Sequence, residues 1–157
     1  MKDIKCIVGI AAAILLIGET FLTEVCAADT SKTNVTVEVL IFSGRRNPTW
    51  QLQDTKALEK LKPRLKELPE AFDTEPAEWS RLGFRGFRIR GGESLGLPDD
   101  ICVYRGVMKT GHGKAAKYLK DLTRLEQSLI DESRKQPLQG AVKDAIAEYE
   151  NARKGSQ

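Results

Sequence analysis

Trp79-Ser80-Arg81-Leu82-Gly83-Phe84-Arg85-Gly86-Phe87-Arg88-Ile89-Arg90, followed by Gly91-Gly92-Glu93-Ser94-Leu95-Gly96-Leu97-Pro98-Asp99-Asp100 and then Ile101-Cys102-Val103-Tyr104-Arg105-Gly106-Val107-Met108, is the stretch on which the fold turns. Two apolar-aromatic runs flank a connection rich in Gly, Pro and Asp. That arrangement predicts a β-hairpin with a long loop, with strands over 82–90 and 101–108. In the first run Phe84, Gly86, Arg88 and Arg90 share one parity, while Arg85, Phe87 and Ile89 share the other. Neither face is cleanly apolar. A bulge near Gly83 or Gly86 repairs the pattern by changing which residues meet the core. The returning run is clearer, with Ile101, Val103, Arg105 and Val107 alternating with Cys102, Tyr104, Gly106 and Met108.

Toward the amino terminus, Val35, Val37, Val39 and Ile41 alternate with Thr36, Glu38 and Leu40. This period of two predicts a third strand over 35–42 with one buried face. Helical stripes then appear at Leu58, Leu61, Leu65 and Leu68, at Leu122, Leu125, Leu129 and Ile130, and at Leu138, Val142, Ala145, Ile146 and Tyr149. They predict helices over 54–67, 121–134 and 138–150, with Asp54 and Asp121 placed as caps. Pro63 kinks or divides the first helix. Pro137 is expected near the first position of the last. Residues 69–78 read as an acidic loop whose carboxylates offset the arginines that follow, and 114–120 reads either as helix or as strand. The fold class expected is α+β, a small antiparallel sheet of about three strands packed on one face by helices.

The first residues read as an address rather than as structure. Lys2 and Lys5 precede the apolar run Ile7–Ile17, and Cys26-Ala27-Ala28 supplies small residues for cleavage. That is the three-part pattern of a secretory signal peptide. The uninterrupted apolar run is short for a bilayer span, and Glu19 and Glu24 stop its extension. The division expected is a signal peptide at 1–28 and a single exported domain at 29–157, secreted or periplasmic, with no membrane span after cleavage. Removing 1–28 takes away Lys2 and Lys5 against Asp3, Glu19 and Glu24, so the formal charge moves from +3 to +4. A mildly basic domain of this kind suits weak attraction to anionic surfaces without naming a partner. Cys6 and Cys26 leave with the signal, so Cys102 has no intrachain cysteine to pair with.

His112 is the sole histidine of the 157 residues. A histidine-rich zinc site is therefore excluded, and no cofactor is expected. Two catalytic or metal readings are weighed. Cys102 and His112 supply the components of a thiol hydrolase, which is the alternative function. Against it, Cys102 reads as a small buried hydrophobe in a strand and His112 falls in a turn. Glu93, Asp99 and Asp100 gather oxygen ligands in one loop but lack the spacing of a calcium-binding loop. The more distinctive feature is the placement of arginine. Arg45, Arg46, Arg81, Arg85, Arg88, Arg90 and Arg105 cluster at turns and strands, whereas lysines dominate the helices. Arginine is preferred where a carboxylate or phosphate is held by a fixed fork. The function expected is a non-catalytic binding or structural domain. Its site is Arg45, Arg46, Arg88 and Arg105, and its partner an anionic ligand, envelope polymer or acidic protein. Export makes nucleic acid the less fitting partner.

Overall fold

The alternation at the start of the described chain is realised as expected: Val35, Val37 and Val39 are fully buried, and Thr36, Glu38 and Leu40 between them are not. The computed structural model describes residues 34–155 apart from Ser43 and Arg45. The proposed signal peptide at 1–28 and Arg45 of the proposed site lie outside the described residues. Strands β1 (Thr36–Phe42) and β2 (Thr49–Gln51) are followed by helix α1 (Lys56–Arg64) and strand β3 (Glu70–Phe72). Strands β4 (Gly83–Arg90), β5 (Asp100–Tyr104), β6 (Val107–Thr110) and β7 (Lys117–Lys120) then lead to helices α2 (Leu125–Ser133) and α3 (Gly140–Lys154). The strands form one sheet in the order β2-β1-β4-β5-β6-β7-β3, with every neighbouring pair antiparallel.

The sheet therefore has seven strands, not about three, and the expectation of a three-stranded sheet is corrected. Three physical causes account for the difference. The run read as one strand over 101–108 folds back on itself, because Arg105 and Gly106 both take positive φ, 51° and 71°. Positive φ at two central residues is the backbone of the two-residue hairpin that suits twisted strands. An Arg-Gly pair is a weaker cue for that turn than Asn-Gly. Second, β2 and β3 are three residues each, too short to display a period. Third, 117–120 resolves as strand, with Tyr118 opposite Lys109 and Leu119 opposite Met108. The segment expected as an acidic loop thus contains an edge strand, and its Glu75 pairs with Lys109 rather than with an arginine.

The helices cover one face of the sheet. Phe87, Ile89, Ile101, Val103 and Met108 join the β1 valines in a single core with Leu58 and Leu61 of α1, Leu125, Leu129 and Ile130 of α2, and Val142 and Ile146 of α3. The anticipated bulge is present. Between the pairs Val39–Phe87 and Ile41–Phe84, β4 carries one more residue than β1. Gly86 sits in that bulge at φ 88°, where a Cβ would come 2.0 Å from the Val103 carbonyl oxygen. Helix starts follow the carboxylates. Asp54 accepts the Lys56 N–H at 3.0 Å, and Asp121 accepts those of Leu125 and Glu126 at 3.0 and 2.8 Å. The last helix begins later than Pro137, at Gly140. Among the described residues, no helix is long and apolar enough to cross a membrane.

Candidate functional site: a groove between the arginine turn and the last helix

The turn after β1 is held by an asparagine. Asn47 Oδ1 accepts the N–H of Ile41 at 3.1 Å, and its Nδ2 donates to Glu38 Oε1 at 2.8 Å. The Val39 N–H donates to Pro48 O at 2.9 Å. These bonds fix residues 46–48 against β1 and leave Arg46 exposed at the rim. Facing them is the connection from α2 to α3, where Pro137 prevents one continuous helix. The two walls enclose a groove of about 750 Å³, within the usual size for a ligand cleft. Ile41, Pro48, Trp50, Leu138 and Val142 make its apolar wall, and Asn47, Thr49, Gln136 and Gln139 its neutral polar groups.

Among the described residues, Arg46 is the only ionisable side chain in that lining. The amino terminus of α3 adds to its charge, since the lining includes Ala141 in the first turn. That turn has no acidic residue, and no side chain caps it. The N–H groups at a helix start have no intrahelical acceptor and carry partial positive charge, the combination that attracts anions. Trp50 supplies a third feature. It is 8% exposed, and its indole Nε1 is buried without a hydrogen-bond partner among the described residues. Leaving such a donor unpaired costs about 1–3 kcal/mol.

The other arginines singled out by the sequence sit elsewhere. Arg88 lies between buried Phe87 and Ile89, so it projects from the sheet face away from the helices. Its Nε donates to both carboxylate oxygens of Asp100, at 2.9 and 3.0 Å. Burial works against ionisation of Asp100, but the Arg88 hydrogen bonds and charge outweigh it and hold the carboxyl below its ordinary value. Arg105 is exposed on the β5–β6 turn, its guanidinium 5.7 Å from the centroid of the Tyr104 ring. The structure thus brings Arg46 to a groove, commits Arg88 to a carboxylate, and leaves Arg105 on a separate turn.

The Cys102–His112 pair is corrected. Both side chains turn to Asp100: Cys102 Sγ is 3.8 Å from Oδ1, and His112 Nε2 is 3.4 Å from Oδ2. Burial first, then the Asp100 charge, pushes the thiol up to about 11. A thiol held beside a carboxylate is the reverse of an activated nucleophile, and His112, 73% exposed, directs its Nε2 to Asp100. The cation reading fails on the same residue. Asp100 is bound to Arg88, and Asp99 Oδ1 accepts the Gly91 N–H at 2.9 Å. No group of carboxylates, histidines and cysteines able to hold a metal occurs among the described residues.

Comparison with protein-family models, curated proteins and solved structures finds no match to this chain.

One functional group of the fold escapes the hydrophobic pattern altogether. Glu126 is 1% exposed. It accepts the N–H groups of Arg105 and Gly106 at 2.8 and 2.9 Å, the Tyr149 hydroxyl at 2.7 Å, and Arg153 Nη1 at 3.1 Å. Burial, and then this carboxylate, pushes the Tyr149 phenol far up. The only cue in the sequence was a glutamate immediately after a stripe leucine, which resembles any outward-facing helix position. Its role here is to tie a turn to two helices, and its four donors leave no lone pair in need of a ligand.

Proposed function

We propose that this protein is an exported, non-catalytic binding domain whose ligand carries negative charge and meets the arginine turn. Arg46 is the principal cation, with Arg45 beside it in sequence. Arg88 and Arg105 are secondary, since one is engaged by Asp100 and the other lies over Tyr104. The observation that supports the reading is a groove in which Arg46 is the sole ionisable lining side chain among the described residues, opposite a helix start with neither a side-chain cap nor an acid in its first turn. An anion placed there meets the Arg46 guanidinium and the positive end of α3. An envelope polymer or an acidic protein fits the same surface.

The test is an NMR titration of the full chain with acetate and with phosphate. The amides of Gly140 and Ala141 are expected to shift saturably, and Arg46→Ala is expected to abolish the response. Arg46→Lys keeps the charge but loses the planar fork, and is expected to weaken it. Shifts that are unsaturable, or unchanged in Arg46→Ala, would sink the reading. Export is tested separately by the intact mass of the protein outside the cell, which is expected to begin near Asp29. A species retaining Met1 to Ala28 would refute it.

A further inference from the structure

Resting on the reading that the groove takes an anion, we propose that the ligand is the carboxyl-terminal tail of a partner polypeptide, laid against β2 as an added antiparallel strand. Among the described residues β2 ends the sheet, so only one of its sides is paired there. Which backbone groups remain on the open side follows from the ladder. The Val39 N–H donates to Pro48 O, the Leu52 N–H donates to Val35 O, and Val37 faces Trp50 between them. In an antiparallel ladder, residues bonded to the partner strand alternate with residues whose N–H and C=O turn away. Pro48, Trp50 and Leu52 are the bonded set, so Thr49 and Gln51 hold their backbone groups out along the edge. Both residues are exposed, and Thr49 belongs to the groove lining.

Direction then decides what meets Arg46. A strand antiparallel to β2 runs from Gln51 toward Thr49, so its last residue arrives beside Asn47 and Arg46. The terminal carboxylate reaches the guanidinium fork there, and the start of α3 completes the charge. Its last side chain is an apolar one, because the wall beside that point contains Trp50, Leu138 and Val142. Main-chain bonds along an edge supply affinity in such additions, and the pockets supply specificity. Inorganic phosphate uses the charge and wastes the edge and the apolar wall.

The experiment is fluorescence polarisation with the full chain and amino-terminally labelled pentapeptides ending in leucine. The free acid is expected to bind, and carboxyl-terminal amidation to weaken it at least tenfold. Arg46→Ala, at an exposed position where folding is not at risk, is expected to do the same. N-methylation of single peptide residues provides the readout for strand addition: loss of binding is expected at alternate positions only. Peptide binding insensitive to amidation, or to N-methylation at every position, overturns the proposal. So does displacement of the peptide by isovalerate at the same concentration as by unlabelled peptide, although that result would leave the anion groove standing. If no carboxylate binds and Arg46→Ala changes nothing, both the tail and the anion reading fall.

Discussion

Gly86 and Gly106 both have positive φ, yet they are expected to tolerate alanine very differently. At Gly106, φ 71°, an added Cβ meets nothing within 4 Å. Its replacement carries only the cost of a left-handed backbone, about 1 kcal/mol. At Gly86 the same atom would lie 2.0 Å from Val103 O and 2.8 Å from Tyr104 Cβ. No rotamer relieves a clash with backbone, so β4 must separate from β5. Gly86→Ala is expected to cost about 3 kcal/mol or more, the left-handed cost plus overpacking of about 1–3 kcal/mol. Urea denaturation of the two variants checks this, and equal midpoints would contradict it. A bulge near Gly83 or Gly86 was legible beforehand, because the parity of Phe84, Phe87 and Ile89 requires an irregularity there; which glycine takes it was not. Arg46 was legible as a turn residue. The groove it borders was not, since the second wall is formed by residues 136–142, and no local pattern links two segments so far apart in the chain.

Between elements, Glu126 acts as a latch. It belongs to α2, its oxygens bind the two backbone N–H groups of the β5–β6 turn, and Tyr149 and Arg153 reach it from α3. Glu126→Ala strands two turn N–H groups and leaves Arg153 without its carboxylate. A loss of about 3–5 kcal/mol is expected, the range for breaking a buried, hydrogen-bonded charge. Tyr149→Phe removes one hydroxyl and leaves the other three donors in place, so about 1 kcal/mol is expected. Thermal or urea unfolding distinguishes the two, and a Tyr149→Phe loss as large as that of Glu126→Ala would show that the ring, not the carboxylate, carries the junction. The same comparison explains which elements could be read in advance. Long alternations and stripes announced β1, β4 and the three helices, and Asp121 announced the start of α2. β2 and β3 each contribute only three residues, and Arg105-Gly106 marks its turn more weakly than Asn-Gly would, so the sheet reads as less than half its width.

Across the whole molecule, acid is expected to loosen the fold through two pairs. The Lys109 hydrogen bond holds the Glu75 carboxyl below its ordinary value, and Asp100 is held down by Arg88 against the opposing effect of burial. A depressed folded pKa means stability that is present above the unfolded value, about 4 for these groups, and lost as pH falls through the folded value. The melting temperature should therefore be flat near neutrality and decline below about pH 4. Asp100→Asn should make that decline shallower; an unchanged acid slope would remove Asp100 from the account. The strand order has a further consequence, for the time course of folding. β4, β5, β6 and β7 are neighbours both in space and in sequence, so their hairpins close short loops. β1, made earlier, must wait for β4, and β3 for β7. Short loops close at lower entropic cost than long ones. Pulsed hydrogen exchange during refolding should find the amides of β5 and β6 protected before those of β1. Until β4 arrives, Val35, Val37 and Val39 have among the described strands only the three residues of β2 as a local partner, so the earliest-synthesised of these strands is the one most in need of shelter from other unfolded chains.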